Sequence, residues 1–275
     1  MAKGSRGGQR AGGATSGSGN IQPQYTTQTF IQNGQPITFQ VPVQQPTPPP
    51  KADTTSKASD FSTDYKTFMA MSDDDKADVI SNAVKQGVPD HLSQTDFQKF
   101  IYNSGLNDKP DVVDDATLNS MNGTELFRTV NNVYDRQNDI SYSADQIAKQ
   151  VMAGRVTRTS DNGGSVYGRG IYFADNQRES SYYGNTRGNV QKTAQIRCKL
   201  NSNAKVISYN SAVNGVSSEI SKGTKLGKVL KKCDRQSQSS IYALAKGYNV
   251  ITSGGGYYNV LNRNAVTMSN GIKPI

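Results

Sequence analysis

The sequence predicts an α+β protein in which short strands and helices alternate along the second half of the chain. From about Thr124, apolar residues recur with the period of two that is typical of strands, interrupted by stretches with helical spacing. Glycine-rich turns separate these pieces, whereas residues 58–121 show helical spacing alone. Short mixed strands with helices packed around them are typical of α+β domains.

Residues 1–57 are expected to form a disordered arm rich in Gly, Ser, Gln and Pro. Met1–Asn20 holds too few apolar side chains to offset the chain entropy lost on folding. The tract Gln44–Pro50 favours an extended polyproline II conformation. Between them, Q-N-G-Q-P within Phe30–Val43 is compatible with a small hairpin. Two interpretations stay open: a linker, or a docking arm that orders on an assembly partner.

Residues 58–121 are expected to form a small helical region. Ser72 is a good N-cap, and Asp73–Asp75 suit the positive end of the helix dipole. The other predicted helix signals are a start at Ser93 with Asp96, an end at Gly105, and a third start at Asp114 or Asp115.

Residues 122–275 are expected to form the α+β domain itself. Strands are predicted at 126–130, 156–159, 171–174, 193–200, 205–208, 249–252, 257–262 and 266–268. Helices are predicted from Ser143 to the glycine at 154 and from Ser239 to Lys246. The stretch Asn210–Lys232 is polar and carries only weak helical signals.

Charge and reactive residues narrow the function classes. The chain carries 31 Lys+Arg against 22 Asp+Glu, a net charge of +9, which favours acidic partners such as nucleotides. Because this charge is spread along the chain, nucleic-acid binding is the weaker interpretation. The single histidine, His91, and two cysteines give no Cys/His cluster, so no metal site is predicted. No apolar run approaches 18 residues and no secretory signal begins the chain, so we expect no membrane association.

The stretch Val166–Tyr183 most resembles a ligand pocket. Gly168 and Gly170 would let the backbone approach a ligand closely, because neither carries a Cβ. The strand after them places Tyr172 and Phe173 on opposite faces. Ser180 and Tyr183 follow one helical turn apart, so both side chains can face the same pocket.

The order of these pieces resembles the ADP-ribosyltransferase fold. The segment G-R-G-I-Y-F-A-D is similar to the poly(ADP-ribose) polymerase signature, in which a Ser and a Tyr follow the signature Tyr by eight and eleven residues; here these are Tyr172, Ser180 and Tyr183. L-F-R-T-V, with Arg128, looks like the Arg strand of the arginine-type toxins and transferases. This mixture and the tail Y-Y-N-V-L-N-R-N-A-V are similar to transferase-like domains of bacteriophage virion proteins. The resemblance covers roughly residues 122–270.

The resemblance implies a split sheet that holds NAD in a cleft. Arg128 would hold a phosphate or the nicotinamide ribose, since its planar guanidinium suits phosphate oxygens. Backbone at Arg128 and Thr129 would hold the nicotinamide amide, Ser180 would hydrogen-bond it, and Tyr183 would stack on the ring. Tyr172 would line the ribose side. Gly168, Gly170 and Phe173 complete the residues that the resemblance implies for NAD binding. Asn176 or Arg178 could guide an acceptor.

Each of these residues also has a plain structural alternative. Arg128 could be a surface strand residue paired with an acid, and Tyr172 could be core packing. Ser180 and Tyr183 could be ordinary residues at the start and in the body of a helix.

The carboxylate that active family members carry at the start of the late strand is absent. Its position falls on Tyr257, Tyr258 or Asn259, and no Asp or Glu follows Asp234. Asn259 is then the implied catalytic partner of Arg128, hydrogen-bonding a ribose hydroxyl without acting as a base. Loss of one charged group costs roughly 10²–10³-fold in rate. The remaining routes are slow transfer without it, retention of the fold alone, or recruitment of Glu125, Glu179 or Glu219.

Two functional hypotheses therefore stand side by side. One is an NAD-dependent mono-ADP-ribosyltransferase-like protein encoded by a phage, which acts on a protein or other acceptor. The other is an inert virion structural or cargo protein that retains the fold and contacts other virion proteins through its arm. Both place the protein in the virion or the host cytoplasm.

Overall fold

The computed structural model describes residues 25–32, 35–42, 65–90, 92–106, 109–135, 140–154, 166–184 and 193–274. The chain divides into two compact units, Met1–Lys57 and Ala58–Ile275. In the first unit, β1 (Tyr25–Gln32) pairs antiparallel with β2 (Gln35–Pro42). The sequence allows a small hairpin within Phe30–Val43, and the paired strands overlap that stretch and extend back to Tyr25. The alternating apolar residues and the Asn-Gly step between the strands favour it.

Helices dominate the start of the second unit, and two of their three caps are those that the sequence predicts. Ser72 caps α2, where its hydroxyl accepts a hydrogen bond from the backbone of Asp75. The next cap is Thr95, two residues after the predicted Ser93, which is itself buried. Asp114 caps the fourth helix. The helices are α1 (Tyr65–Ala70), α2 (Asp73–Lys85), α3 (Asp96–Asn103) and α4 (Asp115–Ser120).

The rest of the unit mixes strands and helices, as expected for an α+β protein. The strands are β3 (Asp111–Val113), β4 (Glu125–Asn131), β5 (Val133–Asp135), β6 (Ile140–Tyr142), β7 (Ile171–Ala174), β8 (Thr193–Leu200), β9 (Val206–Ser208), β10 (Val250–Thr252), β11 (Tyr257–Val260), β12 (Val266–Ser269) and β13 (Lys273–Pro274). The helices are α5 (Ala144–Met152), α6 (Gln177–Gly184), α7 (Tyr209–Lys222), α8 (Lys225–Leu230) and α9 (Arg235–Ala245). The predicted strand at 156–159 lies outside the described residues.

Most of the described strands join one mixed sheet in the order β3-β12-β8-β4-β7-β11-β10-β9, with β13 also paired to β8. Only two of these pairings are parallel, β3 with β12 and β9 with β10. β5 and β6 form a separate hairpin. Antiparallel pairing through the centre of the sheet brings residues distant in sequence side by side.

The sheet is nearly divided between β4 and β7. β4 pairs with β8 over its whole length, from Glu125 opposite Lys199 to Asn131 opposite Thr193. In contrast, β4 pairs with β7 only where Phe127 meets Ala174. We call β3, β12, β13, β8 and β4 the first half of the sheet, and β7, β11, β10 and β9 the second half.

Two apolar cores lie on opposite faces of this sheet. Adjacent residues of β10 mark the division, since Val250 belongs to one core and Ile251 to the other. The core around Val250 spans both halves and includes the apolar face of α5. The core around Ile251 joins the second half to α1–α3 and α7–α9. Because helices from 58–121 share this second core, the boundary predicted at 121/122 does not separate two cores.

Segment 210–232, which showed weak helical signals in the sequence, forms α7 and α8. Ala212 and Val216 of α7 are buried in the helical core. Gly215 lies against the ring of Tyr242, where a Cβ would come within 2.1 Å of the ring. Tertiary packing therefore stabilises a helix that its Ser- and Asn-rich sequence does not strongly favour.

Candidate functional site

The candidate site forms where α6 crosses β4, beside the division of the sheet. Thr129 Oγ1 of β4 and Ser180 Oγ of α6 lie 3.0 Å apart, within hydrogen-bonding distance. Ser180 is buried, although Gln177–Glu179 before it are exposed. Residues separated by 51 positions in sequence thus meet between β4 and α6.

A third polar side chain, Gln195, joins this pair. It lies on β8 directly opposite Thr129, and its Nε2 is 3.5 Å from Thr129 Oγ1. Its Oε1 is buried and has no hydrogen-bond partner among the described residues. An unsatisfied buried acceptor is costly, so this oxygen is suited to receive an N–H from a ligand or an ordered water. Gln195 is not among the site residues predicted from the sequence, although strand alternation places it on the face opposite Ile196.

Arg128 reaches across the division of the sheet. Its Nη1 donates a 2.9 Å hydrogen bond to the carbonyl oxygen of Tyr172 on β7. β4 and β7 pair through a single residue pair, and the Tyr172 carbonyl lies outside it. The guanidinium of Arg128 therefore satisfies a carbonyl that β4 backbone does not. Arg128 therefore ties the two halves of the sheet together.

Gly168 and Gly170 make close contacts inside the protein. A Cβ on Gly168 would lie 2.6 Å from the hydroxyl of Ser240 and 2.7 Å from that of Ser239, both on α9. A Cβ on Gly170 would lie 2.1 Å from Asn259 Oδ1. Both glycines have positive φ, +90° and +152° respectively. Packing against α9 and β11 therefore requires glycine at both positions, independently of any ligand.

Tyr172 and Asn259 hold this glycine loop in place. The Tyr172 hydroxyl donates to the Gly168 carbonyl at 2.6 Å and accepts from the Tyr167 amide at 2.9 Å. Asn259, opposite Tyr172 on β11, donates from Nδ2 to the carbonyls of Tyr167 and Arg169 at 3.0 and 3.2 Å. Asn259 is only 1% exposed, so it shapes the loop from behind.

The remaining predicted binding residues differ in their surroundings. Phe173 is 2% exposed and belongs to the core that includes α5, which directs its ring away from α6. Tyr183 lies in α6, but its side chain is outside the described part of the structure.

Of the three carboxylates that could replace the missing one, Glu125, Glu179 and Glu219, one contacts the start of β11. The Tyr257 hydroxyl, at the start of β11, donates a 3.0 Å hydrogen bond to Glu179 Oε2 of α6. Glu125 instead forms an ion pair with Arg197 at 2.8 Å. Glu219 accepts from Thr224 and from Lys246 at the far side of the helical layer. Glu179 is thus the acid that is adjacent to the candidate site, one residue before Ser180.

Other reactive groups are buried or lie elsewhere. Cys198 and Cys233 are free thiols, and burial raises the pKa of Cys233 to about 12 and also raises that of Cys198. Within the described ranges, no three His, Cys, Asp or Glu residues lie close enough to hold a metal ion. His91 lies outside these ranges. No described helix has both the length and the apolar character needed to cross a membrane.

The candidate site contains a polar cluster of Thr129, Ser180 and Gln195 and, beside it on α6, the exposed Glu179. Arg128 bridges the division between β4 and β7 next to this cluster. Neither a protein-family model nor a curated protein nor a solved structure matches this chain.

Proposed function

We propose that the protein binds NAD beside α6 and transfers its ADP-ribose group to an acceptor, as an ADP-ribosyltransferase-like protein of a phage. The contact between Thr129 Oγ1 and Ser180 Oγ carries the proposal, because it joins the Arg strand to the helix after the glycine motif. The near division of the sheet beside Arg128 supports it, since a divided sheet is what the resemblance implies. Arg128, Thr129, Tyr172 and Ser180 all border this division.

The proposed reaction is a nucleophilic substitution at the ribosyl carbon of NAD. The bond between that carbon and nicotinamide breaks, and nicotinamide leaves with the electron pair as a neutral molecule. A bond to the acceptor nucleophile forms, and the acceptor releases its proton. The developing oxocarbenium charge is stabilised by a nearby carboxylate. In this chain that role falls to Glu179, which the Tyr257 hydroxyl orients.

Polar groups at the site match the nicotinamide carboxamide, which offers an N–H₂ and a carbonyl oxygen. Gln195 Oε1 is a buried acceptor without a described partner, and the Thr129 and Ser180 hydroxyls both donate and accept. NAD binding would thereby relieve the unsatisfied Gln195 oxygen. We infer that Gln195 belongs to the amide-binding set.

A second candidate function, an inert virion structural or cargo protein, has its own support. The contacts of Gly168, Gly170, Tyr172 and Asn259 are all made within the chain, so the glycine motif has a structural reason without NAD. Arg128 likewise uses Nη1 to close the sheet.

Calorimetric titration with NAD separates these two functions. We expect wild-type protein to release or absorb heat on binding, and Ser180→Ala to weaken affinity about tenfold through loss of one to two hydrogen bonds. Ser181→Ala is the matched control, because the adjacent hydroxyl donates to the Gln177 carbonyl of its own helix and to no other described residue. No binding by wild-type protein, or equal losses in both variants, would reject the NAD site.

Transfer itself is tested with labelled NAD and host lysate. Glu179→Gln keeps the shape of the side chain and its hydrogen bond from Tyr257 but removes the charge, so we expect unchanged NAD affinity and a fall in transfer of roughly 10²-fold. NAD binding without any label transfer by wild-type protein would leave a binding protein and reject the enzyme.

A further inference from the structure

A strongly basic surface of the described part of the chain lies along α8 and the turn into α9. The 14 residues Lys222–Arg235 contain six Lys or Arg and a single acid, Asp234. All six basic side chains are exposed. The apolar residues between them, including Leu226, Leu230 and Cys233, are buried in the helical core. The segment therefore packs by its apolar side and presents its basic side to solvent.

Most of these cations form no ion pair with a described residue. Lys225 forms an ion pair with Asp78 of α2 at 2.5 Å. Among the described residues, no ion pair is formed by the other basic side chains, Lys222, Lys228, Lys231, Lys232 and Arg235. Lysines at the end of α8 complement its dipole, but that effect falls off within one turn and does not account for Arg235 at the start of α9.

The basic segment ends at an open depression of about 580 Å³, a volume within the range of small-ligand sites. Arg235 and Arg169 line it, together with Gln94 and Gln236. Arg169 belongs to the glycine loop, and its side chain forms no ion pair with any described residue. The buried Nε of Arg169 lacks a hydrogen-bond partner among these residues as well.

The two acids in the depression are already committed to the backbone. Asp96 Oδ2 accepts from the Asp234 amide at 2.8 Å, and Asp234 Oδ2 accepts from the Asp96 amide at 3.1 Å. Asp234 also accepts from the amide and hydroxyl of Ser237. Because both carboxylates accept hydrogen bonds within the chain, the guanidinium groups of Arg169 and Arg235 are the charged groups of the depression that can take an anion.

We propose that this basic face, made of Arg169, Lys228, Lys231, Lys232 and Arg235, binds the phosphate backbone of a nucleic acid. Guanidinium groups present paired N–H donors that match phosphate oxygens, and a row of lysines tracks successive phosphates. Such contacts position a strand without reading its bases, so binding is independent of sequence.

The absence of apolar anchors favours nucleic acid over an acidic protein. Protein interfaces depend on a buried core that is enriched in aromatic and apolar side chains. On this segment the apolar side chains Leu226 and Leu230 are turned inward, and the described exposed side is basic. Interfaces with nucleic acids are polar and strongly basic in this way.

Fluorescence anisotropy with a labelled 20-base-pair duplex and a 20-nucleotide strand, at 50–300 mM salt, tests the proposal on the full chain. With five phosphate contacts, we expect a log–log salt slope of about −4 to −5 for the duplex and about −3.5 for the strand. The triple variant Lys228→Gln, Lys231→Gln, Lys232→Gln should reduce the duplex slope by about 3 and weaken binding to every sequence tested. Arg169→Gln with Arg235→Gln should reduce it by about 2.

Lys225→Gln is the matched control, because this lysine already has a carboxylate partner and should leave the slope within about 0.5 of wild type. Thermal melting of each variant checks that it remains folded. Three results would overturn the proposal: no binding at 50 mM salt, equal binding of all variants, or equally tight binding of polyglutamate. Equal binding of the variants would place the contact outside this face. Polyglutamate binding would indicate an acidic protein partner.

Discussion

The two halves of the sheet share one core but differ in what covers the opposite face. In the second half, Ile207 and Ile251 pack against helices, so that face is apolar. In the first half, the same face carries Thr129, Gln195 and Arg197, and α4 and α6 meet it through hydrogen bonds and ion pairs. Apolar packing is non-directional, whereas hydrogen bonds fix positions and angles. The polar layer is therefore where side chains are held in a specific arrangement, and the candidate site lies there.

The largest expected loss is at the glycine loop, which joins the second half to α9. Gly170→Ala would place a Cβ 2.1 Å from Asn259 Oδ1 and 2.9 Å from the Val260 carbonyl, at φ +152°. We expect the free energy of unfolding to fall by about 2–6 kcal/mol, from backbone strain and overpacking together. Gly254→Ala is the control: its φ is +78° but no atom lies within 4 Å, so about 1–2 kcal/mol is expected. Urea denaturation measures both, and equal losses would contradict the packing account.

Leu126→Ala tests whether the shared core couples the two halves. Leu126 is fully buried in β4, and its truncation should cost about 2–5 kcal/mol. Since the core around it spans both halves, hydrogen exchange should accelerate in β10 and β11 as well as in β4 and β8. Val112→Ala on the edge strand β3, where the side chain is 45% exposed, should cost under about 0.5 kcal/mol. Acceleration confined to the first half would show that the halves open independently.

Arg128→Met tests the bridge across the division. The variant loses the charged hydrogen bond to the Tyr172 carbonyl, which should lower stability by about 1.5–3 kcal/mol. Arg178→Met, on the exposed first turn of α6, should change stability by less than about 0.5 kcal/mol. Thermal and urea denaturation provide the measurement. If Arg128→Met is neutral, the guanidinium is held for a ligand and not for the sheet.

The smallest effect concerns the ion network of the helical layer. Lys246 Nζ contacts Asp73 at 2.7 Å and Glu219 at 3.0 Å. Its hydrogen bond lowers the pKa of Asp73 below the ordinary 3.8. Burial acts to raise the pKa of Glu219, but hydrogen bonds from Thr224 and Lys246 lower it below 4.5 overall.

Because both folded-state pKa values are lowered, this network stabilises the protein above the ordinary values, and the contribution is lost as pH falls through the lowered ones. Lys246→Met should therefore cost about 1 kcal/mol at pH 7, and the difference from wild type should shrink below about pH 4. Urea denaturation across pH 3–8 checks this. A difference that stays constant down to pH 3 would exclude the carboxylates as its source.

Local signals in the sequence were sufficient for many of the elements. β7 and β8 lie at 171–174 and 193–200 as predicted, and Ser143 caps α5 with the reciprocal hydrogen bonds of a capping box. In these cases the pattern and the cap chemistry are contained in a few adjacent residues. α9 begins at Arg235, four residues before the predicted start at Ser239, because the cap at Asp234 precedes the apolar part of the helix.

Features that depend on distant partners could not be predicted. β3 joins the sheet by parallel pairing with β12, about 155 residues later, although its neighbourhood shows helical spacing. At the site, the offsets of Tyr172 and Ser180 were visible, but the position of Gln195 opposite Thr129 depends on strand register. The contact of Glu179 with Tyr257 depends on how α6 lies over the sheet. Register and helix placement are properties of the whole fold.

The two buried thiols give each core its own chemical reporter. Cys198 lies in the core shared by both halves and Cys233 in the helical core, and burial leaves each as a protonated, inaccessible thiol. An alkylating reagent can then react only after the surrounding core opens. The two alkylation rates, followed by mass spectrometry in increasing urea, report separately on the opening of each layer. Comparison of the two rates in the unmodified chain therefore shows whether the helical layer opens before the sheet unfolds.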